Sequence, residues 1–226
     1  MSHQGEVQEA GDDLAATRLA GRGFFVTLEG VDRSGKTTQV ERLCASLAAR
    51  GLPVGVRGVP GGSLREPGGT PVGEAVREVL LHRPHAVSSW AEALLYAAAR
   101  AQLVADVVRP SLEDGLIVVL DRYIDSSLAY QGCARGLGID AVLEVNQRAT
   151  GGLLPDRLES EGLTLQTRVA AGYDELARRY PRRIVVLDGE RPAAEVAAEV
   201  ERATLVALSA LPAVASPVEQ GANGVR

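Results

Sequence analysis

The run Gly23-Phe24-Phe25-Val26-Thr27-Leu28-Glu29 leads directly into Gly30-Val31-Asp32-Arg33-Ser34-Gly35-Lys36-Thr37-Thr38. Its first half is short, apolar and rich in β-formers, so it reads as a buried strand. The second half matches G-x-x-x-x-G-K-[ST], and the apolar residues Val40, Leu43, Cys44 and Leu47 then recur at helical spacing as far as Gly51. A glycine-bearing loop in that context turns successive backbone N–H groups and a helix N-terminus toward an anion. Lys36 is then placed to reach β- and γ-phosphates, and the Thr37 hydroxyl to ligate Mg²⁺. Residues 30–38 are the candidate ATP-binding segment. A bare glycine turn is the competing reading, and the strand before and helix after count against it.

Outward from this loop, strands and helices alternate. Residues 52–56 read as a weak second strand, 58–69 as a Gly/Pro-rich loop, and 72–82 and 88–110 as helices. A buried strand at 116–120 enters Asp121. Helical spacing returns at 140–150 and 163–180, a last apolar strand at 184–187, and a helix at 192–211. The alternation predicts an α/β three-layer fold with a parallel sheet, its ligands beyond the carboxyl ends of the strands. Asp121 falls at such an end and is the natural second oxygen ligand for Mg²⁺. Residues 1–22 read as a polar extension without the apolar centre of a signal peptide, 23–211 as the folded domain, and 212–226 as a loose tail.

Composition bounds the function. The 226 residues carry 24 Lys+Arg against 29 Asp+Glu, a net charge of −5. That balance counts against nucleic-acid binding but leaves room for small anions held by a local arginine cluster. No run approaches the length of a membrane span. Cys44 and Cys133 make no disulfide framework and suit a reducing cytoplasm, and nothing pairs His82 or His85 with a ligand.

Further motifs follow in order: Arg65-Glu66-Pro67-Gly68-Gly69-Thr70, the segment from Leu94 through Tyr96 and Arg100 to Gln102, Asp121-Arg122-Tyr123, and Ser126 through Ser127, Tyr130 and Gln131 to Gly132. With the loop, this set resembles the thymidylate kinase family over residues 24–208. The resemblance implies a P-loop kinase fold, ATP and dTMP as substrates, Mg²⁺ as cofactor and a homodimer. It implies that Arg122 and Arg65 grip the dTMP phosphate, that Tyr96 stacks on the thymine and that Arg100 bonds its edge. Ser127, Tyr130 and Gln131 would line the nucleoside pocket, with Asp32 near the sugar and acceptor phosphate. Arg33 stands where the family can place a catalytic arginine, beside Lys36, Asp121 and Arg122. Asp125, Arg135 and Glu144 read as surface groups. Two alternatives stand beside this reading: a nucleotide-binding relative or partner subunit without activity, and a P-loop kinase for another nucleotide.

The chain departs from the family twice. A Gly/Pro-rich insertion at 58–64 precedes Arg65, with the potential to shift it. At Pro155-Asp156-Arg157-Leu158-Glu159, a core strand, a helix and a basic lid of the family pattern have no counterpart. Four apolar runs then remain for a five-stranded sheet, with the vacancy between the first strand and the last. The Asp156–Glu159 stretch resembles the end of the family's lid.

Overall fold

The computed structural model describes residues 22–81, 86–162 and 167–211. The expected tail and all but Arg22 of the extension lie outside the described residues, as do His82 and His85. In chain order the elements are β1 (Phe24–Gly30), α1 (Lys36–Ala49), β2 (Gly55–Val56), β3 (Val59–Pro60), β4 (Leu64–Arg65), α2 (Pro71–Leu81) and α3 (Ser89–Leu103). Then come α4 (Arg109–Glu113), β5 (Ile117–Asp121), α5 (Ile124–Ser127), α6 (Ile139–Thr150), β6 (Arg157–Gly162), α7 (Thr167–Arg179), β7 (Ile184–Asp188) and α8 (Ala193–Ser209). Wide, π-type turns join α3 to α4 and continue α5 toward α6.

All seven residues of β1 are buried, and their alternation builds two cores. Phe24, Val26 and Leu28 pack with Ile117 and Val119 of β5 against α1 and α8, through Val40, Leu43, Leu47, Val196 and Val200. Phe25 points to the other face with Val118 and Leu120, against Leu103, Leu128, Val142 and Leu176. Helices therefore cover both faces, as a parallel sheet requires. The strand order is β4-β5-β1-β6-β7, every pairing in it is parallel, and β1 lies in the middle.

Two expectations are corrected. The place between the first strand and the last is filled. Arg157–Gly162 runs parallel to β1, with Val26 opposite Arg157 and Gly30 opposite Glu161, and pairs on its other edge with β7. Residues 157–159 thus belong to the sheet rather than to the end of a lid. The reason is energetic. β strand propensities span only about 1 kcal/mol, while each unpaired buried backbone group costs about 1–3 kcal/mol. The bare edge of a wholly buried β1 therefore recruits the next available segment, polar as it is. Asp156 fixes its start: its Oδ2 accepts the Phe25 N–H at 3.0 Å, while its own N–H donates to the Phe25 carbonyl at 2.9 Å.

The second correction concerns 52–56. Only Val54 bridges to the sheet, opposite Ile117; Gly55–Val56 folds back on Val59–Pro60 as a small hairpin. The chain rejoins β5 at Leu64–Arg65, with Arg65 opposite Asp121. The insertion therefore bulges out of the strand, and Arg65 stays at its carboxyl end.

Candidate active site

The phosphate loop joins the end of β1 to α1. Positive φ angles at Gly30 (146°), Arg33 (66°) and Gly35 (95°) bend it back on itself. Gly35 stands at the N-cap of α1 with no side chain over the end, so the first-turn N–H groups stay open to an anion. Lys36 is buried, and its Nζ donates to the Val31 carbonyl at 2.6 Å and to Ser34 Oγ at 3.1 Å. Burial first, and the nearby Arg122 charge second, push its pKa down to about 8 against the pull of Asp121, Glu29 and Asp32. Thr37 Oγ1 donates to Asp121 Oδ2 at 2.7 Å, joining the tips of β1 and β5.

Arg122 follows β5 in the left-handed region, at φ 71°. Its NH1 donates to the Gly30 carbonyl at 2.9 Å and to Ser126 Oγ at 3.1 Å; its NH2 donates to Asp32 Oδ1 at 2.6 Å. The guanidinium lies over the Tyr130 ring, 5.3 Å from its centre. Deeper in, Arg100 is fully enclosed. It donates to Glu66 Oε2 at 2.7 Å, Ser127 Oγ at 3.2 Å, the Tyr123 carbonyl at 3.0 Å and Asn146 Oδ1. Burial raises the Glu66 pKa despite Arg100, and Glu66 Oε1 has no hydrogen-bond partner among the described residues. Gln131 Nε2 donates to Glu92 at 2.9 Å.

These groups meet in one cavity of about 340 Å³. Of the candidate residues, Asp32, Arg33, Lys36, Thr37, Arg65, Tyr96, Arg100, Asp121, Arg122, Ser127, Tyr130 and Gln131 line it. Gly30, Val31, Ser34 and Gly35 belong to the loop and Thr38 to the first turn of α1, outside the lining of the cavity. Arg77 also lines the cavity, held by its NH1 donating to the Pro67 carbonyl at 2.9 Å; no sequence signal separates it from a solvated helix arginine. With it, six cationic side chains face three carboxylates, which is how an acidic chain attracts anions. Glu66 and Ser126 stood within the quoted motifs without a role. Asp125, read as a surface group, is fully buried and accepts both ends of the Arg183 guanidinium at 2.7 Å. Arg135 and Glu144 are surface groups, as read, Arg135 pairing with Glu92.

An anion-binding loop and a set of guanidinium groups thus share one cavity, an arrangement suited to phosphorylated ligands. Fold and cavity together are those of a P-loop kinase. The family model for thymidylate kinase matches residues 28–158. A thymidylate kinase of Deinococcus radiodurans is 44% identical over 202 residues, covering 79% of this chain and 95% of that protein. One from Thermoanaerobacter sp. is 43% identical over 190 residues, covering 74% and 90%. A crystal structure of thymidylate kinase from Ehrlichia chaffeensis superposes with a TM-score of 0.70 at 30% identity, covering 81% of this chain and 98% of that one. The chain belongs to the thymidylate kinase family. The family match ends at 158, just inside β6. The 202 positions matched with the Deinococcus protein exceed the 79% of 226 residues that they include here, so that relative carries residues with no counterpart in this chain.

Proposed function

We propose that the chain transfers the γ-phosphoryl group of ATP to dTMP, giving dTDP and ADP in the biosynthesis of dTTP. The observation that carries this reading is the one cavity whose wall holds Lys36 and the open first turn of α1 together with the guanidinium groups of Arg122 and Arg65. Phosphoryl transfer is mostly positioning and charge stabilisation, and the acceptor oxygen of dTMP is already anionic near neutral pH, so no strong general base is needed. Residues 30–38 hold the triphosphate. Arg122 and Arg65 hold the acceptor phosphate, since guanidinium forks match its oxygens. Tyr96 stacks on the thymine; Ser127 and Gln131 meet its edge, with the enclosed Arg100 holding Ser127 in place, and Tyr130 and Asp32 border the sugar.

Mg²⁺ fits the donor set. Thr37 and Asp121 offer two hard oxygens from groups 2.7 Å apart, and Mg²⁺ commonly takes only one or two protein oxygens beside phosphates and water. When bound, it neutralises charge on the transferring group.

A coupled ADP-release assay with ATP, Mg²⁺ and dTMP tests the function, with dUMP, dCMP and AMP as competing acceptors. The expected result is dTMP-dependent turnover that Lys36→Ala abolishes. A folded sample that binds dTMP without turnover sinks the kinase reading.

The chain acts in the cytoplasm, the reducing compartment that its two cysteines suit; among the described residues no helix is long and apolar enough to cross a membrane. It pairs as a homodimer through α2 and α3, which pack together and expose Val72, Val79, Trp90 and Leu94 by 42–52%. A cluster of exposed large apolar side chains marks an interface. Leu94→Glu is expected to convert the dimer to monomer in sedimentation velocity; an unchanged profile rules out this face.

A further inference from the structure

Glu29 is the one carboxylate on the wholly buried β1, and the phosphate chemistry above makes no use of it. It is on the same face as Phe25 and Thr27, turned toward the segment after β5 and toward α7. Its Oε1 accepts the Tyr123 N–H at 2.6 Å. On the neighbouring strand residue, the Leu28 carbonyl accepts the Arg122 N–H at 3.0 Å. The two residues thus clamp both sides of a backbone position that a non-glycine residue occupies only at a cost. Glu29 Oε2 meets Ser126 Oγ, which lies 3.0 Å from Tyr173 Oη and accepts Arg122 NH1 at 3.1 Å. Tyr173 Oη in turn donates to the Gly30 carbonyl at 3.3 Å, the oxygen that also accepts Arg122 NH1.

This network has two complete sets of hydrogen bonds. With Glu29 ionised, Ser126 donates to Oε2 and Tyr173 to Gly30. With Glu29 protonated, its O–H donates to Ser126, Ser126 to Tyr173 and Tyr173 to Gly30. Neither arrangement leaves a buried proton unpaired, and Arg122 donates to Ser126 in both. The two differ by one negative charge behind Arg122.

We propose that Glu29, acting through Ser126 and Tyr173, is a positioning residue for Arg122, and that the proton it holds sets how strongly Arg122 draws the acceptor phosphate. This rests on the reading of Arg122 as the acceptor-phosphate arginine. Among the described residues, the charged and titratable groups around Glu29 are Asp125 on α5, Arg122 after β5, Tyr173 on α7, Lys36 at the start of α1, and Arg183 before β7. Arg183 is engaged by Asp125 in a bidentate pair, so it offsets that carboxylate rather than Glu29. Burial first, then Asp125, lift the Glu29 pKa to about 8, against Ser126, Arg122 and the Tyr123 N–H. Below that pH Glu29 is neutral and Arg122 acts with its full charge. Above it the ionised carboxylate draws that charge inward, and the acceptor phosphate is held less tightly.

The test compares kcat/KM for dTMP and for ATP across pH 8 in the natural chain, Glu29→Gln and Tyr173→Phe, at saturating co-substrate. Lys36 also titrates near pH 8, and saturating ATP keeps it charged against phosphate. In the natural chain, kcat/KM for dTMP is expected to fall on the order of tenfold from the acid to the alkaline limb, the scale of one partly screened charge a few ångströms away. Glu29→Gln, which mimics the protonated form, keeps the acid-limb value throughout. Tyr173→Phe displaces the break in the dTMP profile, while kcat/KM for ATP, which also carries the Lys36 titration, is the same in Glu29→Gln as in the natural chain. A Glu29→Gln profile for dTMP with the same break overturns the proposal, as does a Glu29→Gln change that is equal toward both substrates. A second readout needs no turnover: the infrared carbonyl band of a protonated buried carboxyl should titrate near pH 8 and vanish in Glu29→Gln. Its absence from the natural chain overturns the proposal. If the band behaves as expected while dTMP is not phosphorylated, it is the kinase reading that fails, and calorimetric dTMP affinity then replaces kcat/KM.

Discussion

Replacing Arg33 with alanine is expected to lower kcat for dTMP phosphorylation by about 10³-fold or more, with little change in either KM. Arg33 stands in the middle of the phosphate loop at φ 66°, exposed on the wall of the cavity, between Asp32 and the lysine-bearing end of the loop. Among the described residues no hydrogen bond holds its guanidinium, in contrast to Arg100 and Arg122, whose donors are engaged by the protein. A guanidinium left unengaged beside the transfer path can meet charge as it develops on the moving phosphoryl group. Interactions made only in the transition state raise kcat and leave ground-state binding alone. Arg33→Lys is expected to recover only part of the loss, because a point charge lacks the planar fork. Steady-state kinetics with both substrates varied decides it. A kcat within tenfold of the natural chain, or a loss confined to KM, assigns Arg33 to ordinary substrate binding.

The phosphate loop was legible because its chemistry is local. Glycines, a lysine and a hydroxyl between a strand and a helix need no distant partner to be recognised. The candidate residues around Arg122 were legible through motif order, and the structure brings them into one cavity. What stayed hidden depends on partners far along the chain. Asp125 reads as a solvated helix residue until Arg183, 58 positions on, folds against it. Glu29 reads as the polar end of a strand until Tyr173, 144 positions on, reaches it. Arg77 carries no signal, since an arginine on a helix is ordinary until the cavity opens beside it. The insertion at 58–64 looked able to displace Arg65, but a hairpin absorbs it within 55–60, and the strand resumes opposite Leu120. β6 is the plainest case. Periodicity asks which segments favour a strand by themselves, and residues 157–162 do not. The missing signal lay in β1, whose burial on both faces demands a partner at each edge.

That demand makes β6 sensitive to a single backbone change. Ser160→Pro is expected to cost about 3 kcal/mol or more, because proline removes one ladder N–H, leaves a buried carbonyl without its donor, and crowds the adjoining strand. Ser160 lies opposite Glu29 on one side and opposite Val186 on the other, so neither neighbour can supply water in place of the lost bond. Against a typical stability of about 5–15 kcal/mol, the loss is a large share. At a few degrees per kcal/mol for a domain of this size, the thermal midpoint should fall by roughly 6–12 °C. Circular dichroism melts of the natural chain and the variant measure it, with Ser160→Ala as the control that keeps the N–H. A variant that melts with the natural chain would mean that residues 157–162 are not paired on both edges, and that β1 finds its second partner elsewhere. A large fall with Ser160→Pro and little change with Ser160→Ala assigns the loss to the backbone. A polar segment would then hold a central position in the sheet through its hydrogen bonds, where the strands beside it also contribute apolar surface.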